Sequence, residues 1–488
     1  MVAAGHPLTA RAGARVLRAG GNAVDAALAA MLTSWVAEPL LTGPGAGGYL
    51  LHAAPPEEPV LLDFFVSAPG AGLDPLHRPA PMLPVDVDFG DAHQIFNVGP
   101  ASCGTWGTPA GIEAAHARWG SVPLAELAAP AAALAREGVP LGPEQAYVAE
   151  ILQGILVSTP ESRALFAPGG ALLRAGDAFV CPELGDTIER LGAEGAAPFY
   201  AGDVGTRVRT WLADRGGCVT ERDLAGYAAT PLRPVQATYR TRTVLSPPPP
   251  NAGGVLIALA LGLLDRAPAP PSVTAIVDAM EAAQRARTDD FVDGLAVPGF
   301  ADRLLASRLG STTHISVVDR DGRACSVTCS NGEGSGIVVP GTGIHVNNMM
   351  GEDDLNPLGF HLYPPGRRLP SMMAPTVVVG PDGVELVVGS AGSNRIRSAV
   401  LQTIVGVIDH GWPAQRAIDA PRVHLEDGTV FAEPGVDVAA LREAGRSVTE
   451  FRAPNLFFGG VQAVERVPGT GDMSGGGDPR RGGVAVAA

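Results

Sequence analysis

The chain has 488 residues, 46% of them hydrophobic, and a formal net charge of −15. That is enough apolar material for one large layered domain or two or three average ones, and too acidic for a nucleic-acid surface, which needs a basic stripe. The five cysteines, Cys103, Cys181, Cys218, Cys325 and Cys329, are odd in number and include no CxxC pair, so neither a disulfide framework nor a zinc site is indicated.

The opening residues show no basic and apolar signal segment, and the longest apolar runs, residues 26–31 and 255–264, are too short to span a bilayer. The expectation is a soluble, cytoplasmic protein that acts on a small molecule, with no nucleic-acid or membrane partner. Residues 7–41 read as two helices: LTARAGARVLRAG is amphipathic, and residues 22–31 are apolar enough to be buried. Gly20-Gly21 separates them and Asn22 is placed to cap the second. Gly43, Gly45 and Gly48 spell GxGxxG, but a dinucleotide loop leaves a strand and opens a helix. This one leaves a helix and enters a strand at Tyr49, so its glycines are read as allowing close backbone packing. A strand follows over residues 60–65, then helices from Gly107 to Glu137 and a mostly helical region to about Tyr227. The proline run at residues 247–250 has the composition of a linker and leads through Asn251 into an apolar helix.

Residues 301–307 are helix-prone and stop at Leu309-Gly310, and a strand-like alternation begins at His314. Two threonines, Thr312 and Thr313, therefore stand at the mouth of a strand. A threonine hydroxyl is a poor nucleophile at neutral pH and needs a base within hydrogen-bonding reach. A break between Ser311 and Thr312 would supply one, because a freed α-amino group has an unperturbed pKa of about 8. His314 is read as a packed strand residue and Cys325 and Cys329 as small core side chains. No histidine or cysteine cluster suggests a metal, and no cofactor is expected.

TTHISVVDRDG from Thr312, then Val327-Thr328-Cys329-Ser330-Asn331, then Pro340-Gly341-Thr342-Gly343-Ile344 with Asn347-Asn348, resemble the γ-glutamyltransferase family of N-terminal-nucleophile hydrolases. The opening MVAAGHPLTARAGARVLRAGGNAVDAALAA and the closing Gly477-Asp478-Pro479-Arg480-Arg481-Gly482-Gly483 extend the resemblance over nearly the whole chain. It implies an α+β fold, a four-layer αββα sandwich, cut by the protein itself into residues 1–311 and 312–488 that together form one intertwined domain. It also implies Thr312 as nucleophile, Ser330 orienting it, and the backbone N–H groups of Gly392 and Ser393 as an oxyanion hole.

By the same resemblance Phe65, Asn331, Asn347, Glu352, Ser371 and Met372 stand at the substrate, and several depart from the family pattern. Phe65 occupies the place of an arginine that clamps a carboxylate, Ser393 that of a second glycine, and Met372 that of a second serine. Gly351 or Glu352 falls where an acid meets the substrate amine. Most of a γ-glutamyl clamp is missing or altered, and unmet polar groups discriminate strongly. The expected activity is hydrolysis or acyl transfer on a small molecule other than glutathione. Two alternatives remain open: a C–C bond hydrolase of alkylproline antibiotic biosynthesis, and an unprocessed scaffold or binding protein.

Overall fold

The computed structural model describes residues 1–74, 76–88, 93–285, 312–467 and 469–488. The helix expected over residues 301–307, and Ser311, lie outside them. Two antiparallel sheets form the centre. In the first, Val484–Val486, Val2–Ala4, Thr313–Val318, Ala324–Ser330, Gly47–Ala53, Val60–Phe64 and Thr230–Leu232 lie side by side in that order. The second runs Met473–Gly477, Gly460–Arg466, Gly383–Ala391, Thr376–Gly380, Arg242–Ser246, Val235–Tyr239.

Strands Gly47–Ala53, Thr313–Val318 and Ala324–Ser330 are buried at every residue. Successive side chains point to opposite faces, so such strands need apolar cover on both. Tyr49, Leu51, Phe65, Leu245, Met373, Val377 and Val464 fill the space between the sheets. Leu50, Leu62, Ile315 and Val327 pack outward on helices Ala23–Ala37, Thr108–Trp119 and Leu124–Glu137. On the far side Val388, Val461 and Ala463 pack on Ala252–Leu264, Arg395–Ile408 and Ala414–Asp419. The layers run helix, sheet, sheet, helix, which is the expected αββα sandwich.

The punctuation read from the sequence holds. Helices Pro7–Arg18 and Ala23–Ala37 are split at Gly20-Gly21, and Asn22 closes a capping box with Asp25, a device worth about 1 kcal/mol. Asp25 also accepts the amides of Ser121 and Val122 at 2.9 and 3.2 Å, a scaffold role. In the GxGxxG stretch a Cβ on Gly45 would lie 2.7 Å from the His345 carbonyl and one on Gly48 2.3 Å from that of Thr328. These glycines therefore serve backbone contact. Asn251 caps Ala252–Leu264 and donates through Nδ2 to the Met373 carbonyl at 2.7 Å, tying the proline loop to residues 371–373.

His314 lies between the sheets, 2.8 Å from Thr328 Oγ1 and 2.9 Å from Ser316 Oγ. Burial lowers its pKa to about 3, so the ring is neutral. A Cβ on Gly389 of the second sheet would stand 2.3 Å from that ring, so the two sheets close here only around glycine. Among the described residues no helix is long and apolar enough to cross a membrane.

Candidate active site

Thr312 immediately precedes strand Thr313–Val318 and is 3% exposed. The register pairs Thr313 with Cys329, and one further step along it sets Thr312 opposite Ser330, the last residue of its strand. Ser330 Oγ accepts the Gly332 amide at 2.8 Å, which fixes the turn that leaves the strand. The two neighbouring threonines are treated differently. Thr313 Oγ1 donates to Glu38 Oε2 at 2.6 Å, whereas Thr312 Oγ1 makes no hydrogen bond to the described residues.

Glu38 follows helix Ala23–Ala37 directly and is 1% exposed. Its other oxygen accepts Thr9 Oγ1 at 2.8 Å, and a Cβ on Gly5 would stand 2.5 Å from Oε2. Burial raises the Glu38 pKa, while the hydroxyls of Thr313 and Thr9 pull it back. The group anchors the start of strand Thr313–Val318 to both opening helices. Sequence reading missed it. Its signal was an acid placed directly after a largely apolar helix, and such a residue is buried only when hydrogen-bonded.

Strand Gly383–Ala391 ends in two consecutive residues with positive φ, Gly392 at 106° and Ser393 at 51°, before helix Arg395–Ile408 begins. Their carbonyls accept the amides of Arg395 and Ile396 at 3.1 and 2.9 Å, but neither Gly392 nor Ser393 donates its own amide to any described residue. A pair of unused N–H groups at a helix start is what a developing oxyanion requires.

The remaining sequence-predicted residues divide into two groups. Asn331 and Glu352 converge on the turn after Ser330. The Asn331 amide donates to the Leu41 carbonyl at 3.0 Å, its Nδ2 donates to His345 O at 3.2 Å, and its Oδ1 is buried without a partner. A Cβ on Gly332 would lie 2.0 Å from Glu352 Oε1, so that carboxylate packs beneath the same turn. Asn347 bonds within the protein. Its Oδ1 accepts the amides of Gly104 and Met349, and its Nδ2 donates to the carbonyls of Gly45 and Gly104. All four positions hold scaffold together and none is left for a substrate. Ser371 uses its Oγ to accept the Met373 amide at 3.1 Å and its carbonyl to accept those of Ala252 and Gly253, and Met372 is packed in the core of the second sheet.

The sequence model of the family described as gamma-glutamyltranspeptidase matches residues 9–310 and 305–488. The chain belongs to the gamma-glutamyltranspeptidase family. It is 30% identical over 525 residues to the acylase ACY 1 proenzyme of Pseudomonas sp. (strain SE83), covering 100% of this chain and 93% of that one. To the glutathione hydrolase proenzyme of Escherichia coli (strain K12) it is 30% identical over 538 residues, covering 98% and 90%. Among solved structures, the cephalosporin acylase from Bacillus halodurans matches with a TM-score of 0.82 at 26% identity, over 100% of this chain and 95% of that one. The protein is thus an enzyme of the hydrolase and acyl-transferase kind.

Phe65, expected from the sequence to stand at the substrate, lies in an apolar and aromatic setting. The ring is 1% exposed and stacks on Tyr49 at 5.5 Å between the sheets. The nearby cation, Arg368, is already engaged. Its Nε lies 3.4 Å from Asp63 Oδ1, Nη2 donates to Ala228 O at 2.6 Å, and the guanidinium sits 4.2 Å over Tyr227, whose hydroxyl donates to Phe65 O at 2.7 Å. Among the described residues this guanidinium is thus committed to protein partners. Ser393 departs differently, because an L-residue in the left-handed region costs roughly 1–2 kcal/mol, part of which a glycine loses again to unfolded-chain entropy. Ser393→Gly should therefore raise stability by about 0.5–1 kcal/mol, read from the urea midpoint.

Proposed function

We propose that the chain cleaves itself before Thr312 and then acts as an amide hydrolase or acyl transferase on a small molecule other than glutathione. The freed α-amine of Thr312 takes the proton of its own hydroxyl, Oγ1 attacks the carbonyl, and the Gly392 and Ser393 amides hold the oxyanion. The amine product leaves with that proton, and water then releases the acid from the threonine ester. The register of Thr312 against Ser330 and the two unused amides support the chemistry. Acylases among the relatives support an amide of a carboxylic acid as substrate.

The observation that carries the substrate reading is Phe65, stacked on Tyr49 beside an arginine already bound to Asp63. A site that lacks hydrogen-bonding groups for a zwitterion loses the selectivity those groups confer, often a factor of about 10^4. Purified, cleaved protein should turn over glutathione and γ-glutamyl-p-nitroanilide at least about 10^3-fold more slowly than the best p-nitroanilide of a plain carboxylic acid. Robust γ-glutamyl turnover would sink this reading.

A further inference from the structure

Helix Arg395–Ile408 is tied along one stripe of its surface to a strand outside the two central sheets. Asn394, Ser398 and Gln402 are spaced four apart and so face the same way. Asn394 Nδ2 donates to Glu426 Oε1 at 2.8 Å, and Ser398 Oγ lies 2.8 Å from His424 Nδ1. Gln402 holds the backbone of Val423 twice, donating through Nε2 to its carbonyl and accepting its amide at Oε1, each at 2.9 Å. All three partners belong to strand Val423–Glu426, in which His424 and Glu426 share a face. The helix therefore cannot slide or turn against this strand without breaking a hydrogen bond.

Glu426 is the rung at the helix start. Its strand ends there in a two-residue turn, Asp427 and Gly428 with φ of 47° and 76°, which pairs Glu426 with Thr429. His424 Nε2 lies 3.5 Å from Glu426 Oε2. Burial opposes the charge, yet His424, Arg395 and the Asn394 amide hold the Glu426 carboxyl below the ordinary glutamate range, so it is an acceptor at neutral pH. Asn394 is fully buried and directly follows Ser393, whose φ of 51° persists only where its surroundings enforce it.

This turn lies close to Thr312. His314, two residues beyond Thr312 on the same face of its strand, meets Gly389, three residues before Gly392. At about 3.3 Å per residue, the threonine and the turn both fall within about 10 Å of that contact. Displacing an oxyanion donor by about 1 Å can cost about 10^2-fold in rate.

We propose that Glu426 is a positioning residue for this reaction: through Asn394 it holds the turn of Gly392 and Ser393 so that both amides point at the carbonyl attacked by Thr312. The small sheet of Val423–Glu426, Thr429–Ala432 and Ser447–Glu450 then serves the chemistry from outside the site. The inference rests on the hydrolase reading above.

The test follows hydrolysis of p-nitrophenyl butyrate by protein shown by electrophoresis to be cleaved, counting only the turnover that Thr312→Ala removes. Glu426→Ala should lower kcat by about 10- to 100-fold with KM nearly unchanged. Glu426→Gln, whose side-chain carbonyl still accepts from Asn394, should recover most of that loss. Gln402→Ala, which cuts the rung two turns away, should keep the wild-type kcat. A Glu426→Ala kcat near wild type overturns the inference. So does an equal loss in Gln402→Ala, the mark of a general loosening of the helix, or a loss confined to KM. Asn394→Ala cuts the same bond from the helix side, and the presence or absence of the same kcat loss there decides the matter where Glu426→Ala does not fold. A cleaved wild type with no Thr312-dependent turnover instead sinks the hydrolase reading, and this inference with it.

Discussion

Thr312→Ala should leave a single chain of 49.8 kDa where the wild type should yield two fragments, residues 1–311 and 312–488. It should also lower kcat by about 10^4-fold or more. Both effects come from one residue. Inside an intact chain the nitrogen of Thr312 is an amide and no base, and its hydroxyl ionises far above neutral pH. After cleavage the same nitrogen is an amine with an ordinary pKa of about 8, able to take the hydroxyl proton. Thr312→Ser keeps hydroxyl and amine and should still be cut, so mass spectrometry of the two variants separates loss of chemistry from loss of fold. Thr313 offers a sharper control. Its hydroxyl is tied to Glu38 at 2.6 Å and its backbone pairs with Cys329, so Thr313→Ala should weaken the strand and still permit cleavage. If Thr313→Ala stops cleavage and Thr312→Ala does not, the nucleophile is one residue further on.

How much of this was legible in the sequence depends on how far apart the interacting residues lie. The two opening helices, their glycine break and the Asn22 cap are local, and propensity and capping chemistry place them correctly. The strand of Thr312 and the turn after Ser330 are likewise near neighbours, joined through one antiparallel pair. The packed character of His314 was legible too, since a strand alternation puts it on an inner face. What failed to show was pairing across the chain. Asn347 joins Gly45 and Gly104, more than 240 residues away, and nothing beside it distinguishes that role from one toward a substrate. Glu38 meets Thr313 across 275 residues and Arg368 meets Asp63 across 305. In both pairs each partner alone reads as an ordinary acid, hydroxyl or surface arginine.

Asp478→Asn should cost about 3–5 kcal/mol, the second large effect, because it leaves a buried cation uncompensated. Arg422 is 2% exposed and its Nη1 lies 2.7 Å from Asp478 Oδ2, itself fully buried. The carboxylate also accepts the Val461 amide at 2.9 Å, so it fixes the strand beside Gly383–Ala391. Burial opposes the charge, yet Arg422 and Arg480 together hold the Asp478 carboxyl below the ordinary aspartate range. The sign follows. With the folded value below the unfolded one, this stabilisation is complete above about pH 4 and is lost as pH falls through the folded value. Urea midpoints taken on the Thr312→Ala background, where the chain is covalently intact, should show the Asp478→Asn deficit in full at pH 7 and a narrowing gap below pH 4. A gap independent of pH would mean that the loss is one of packing and not of charge.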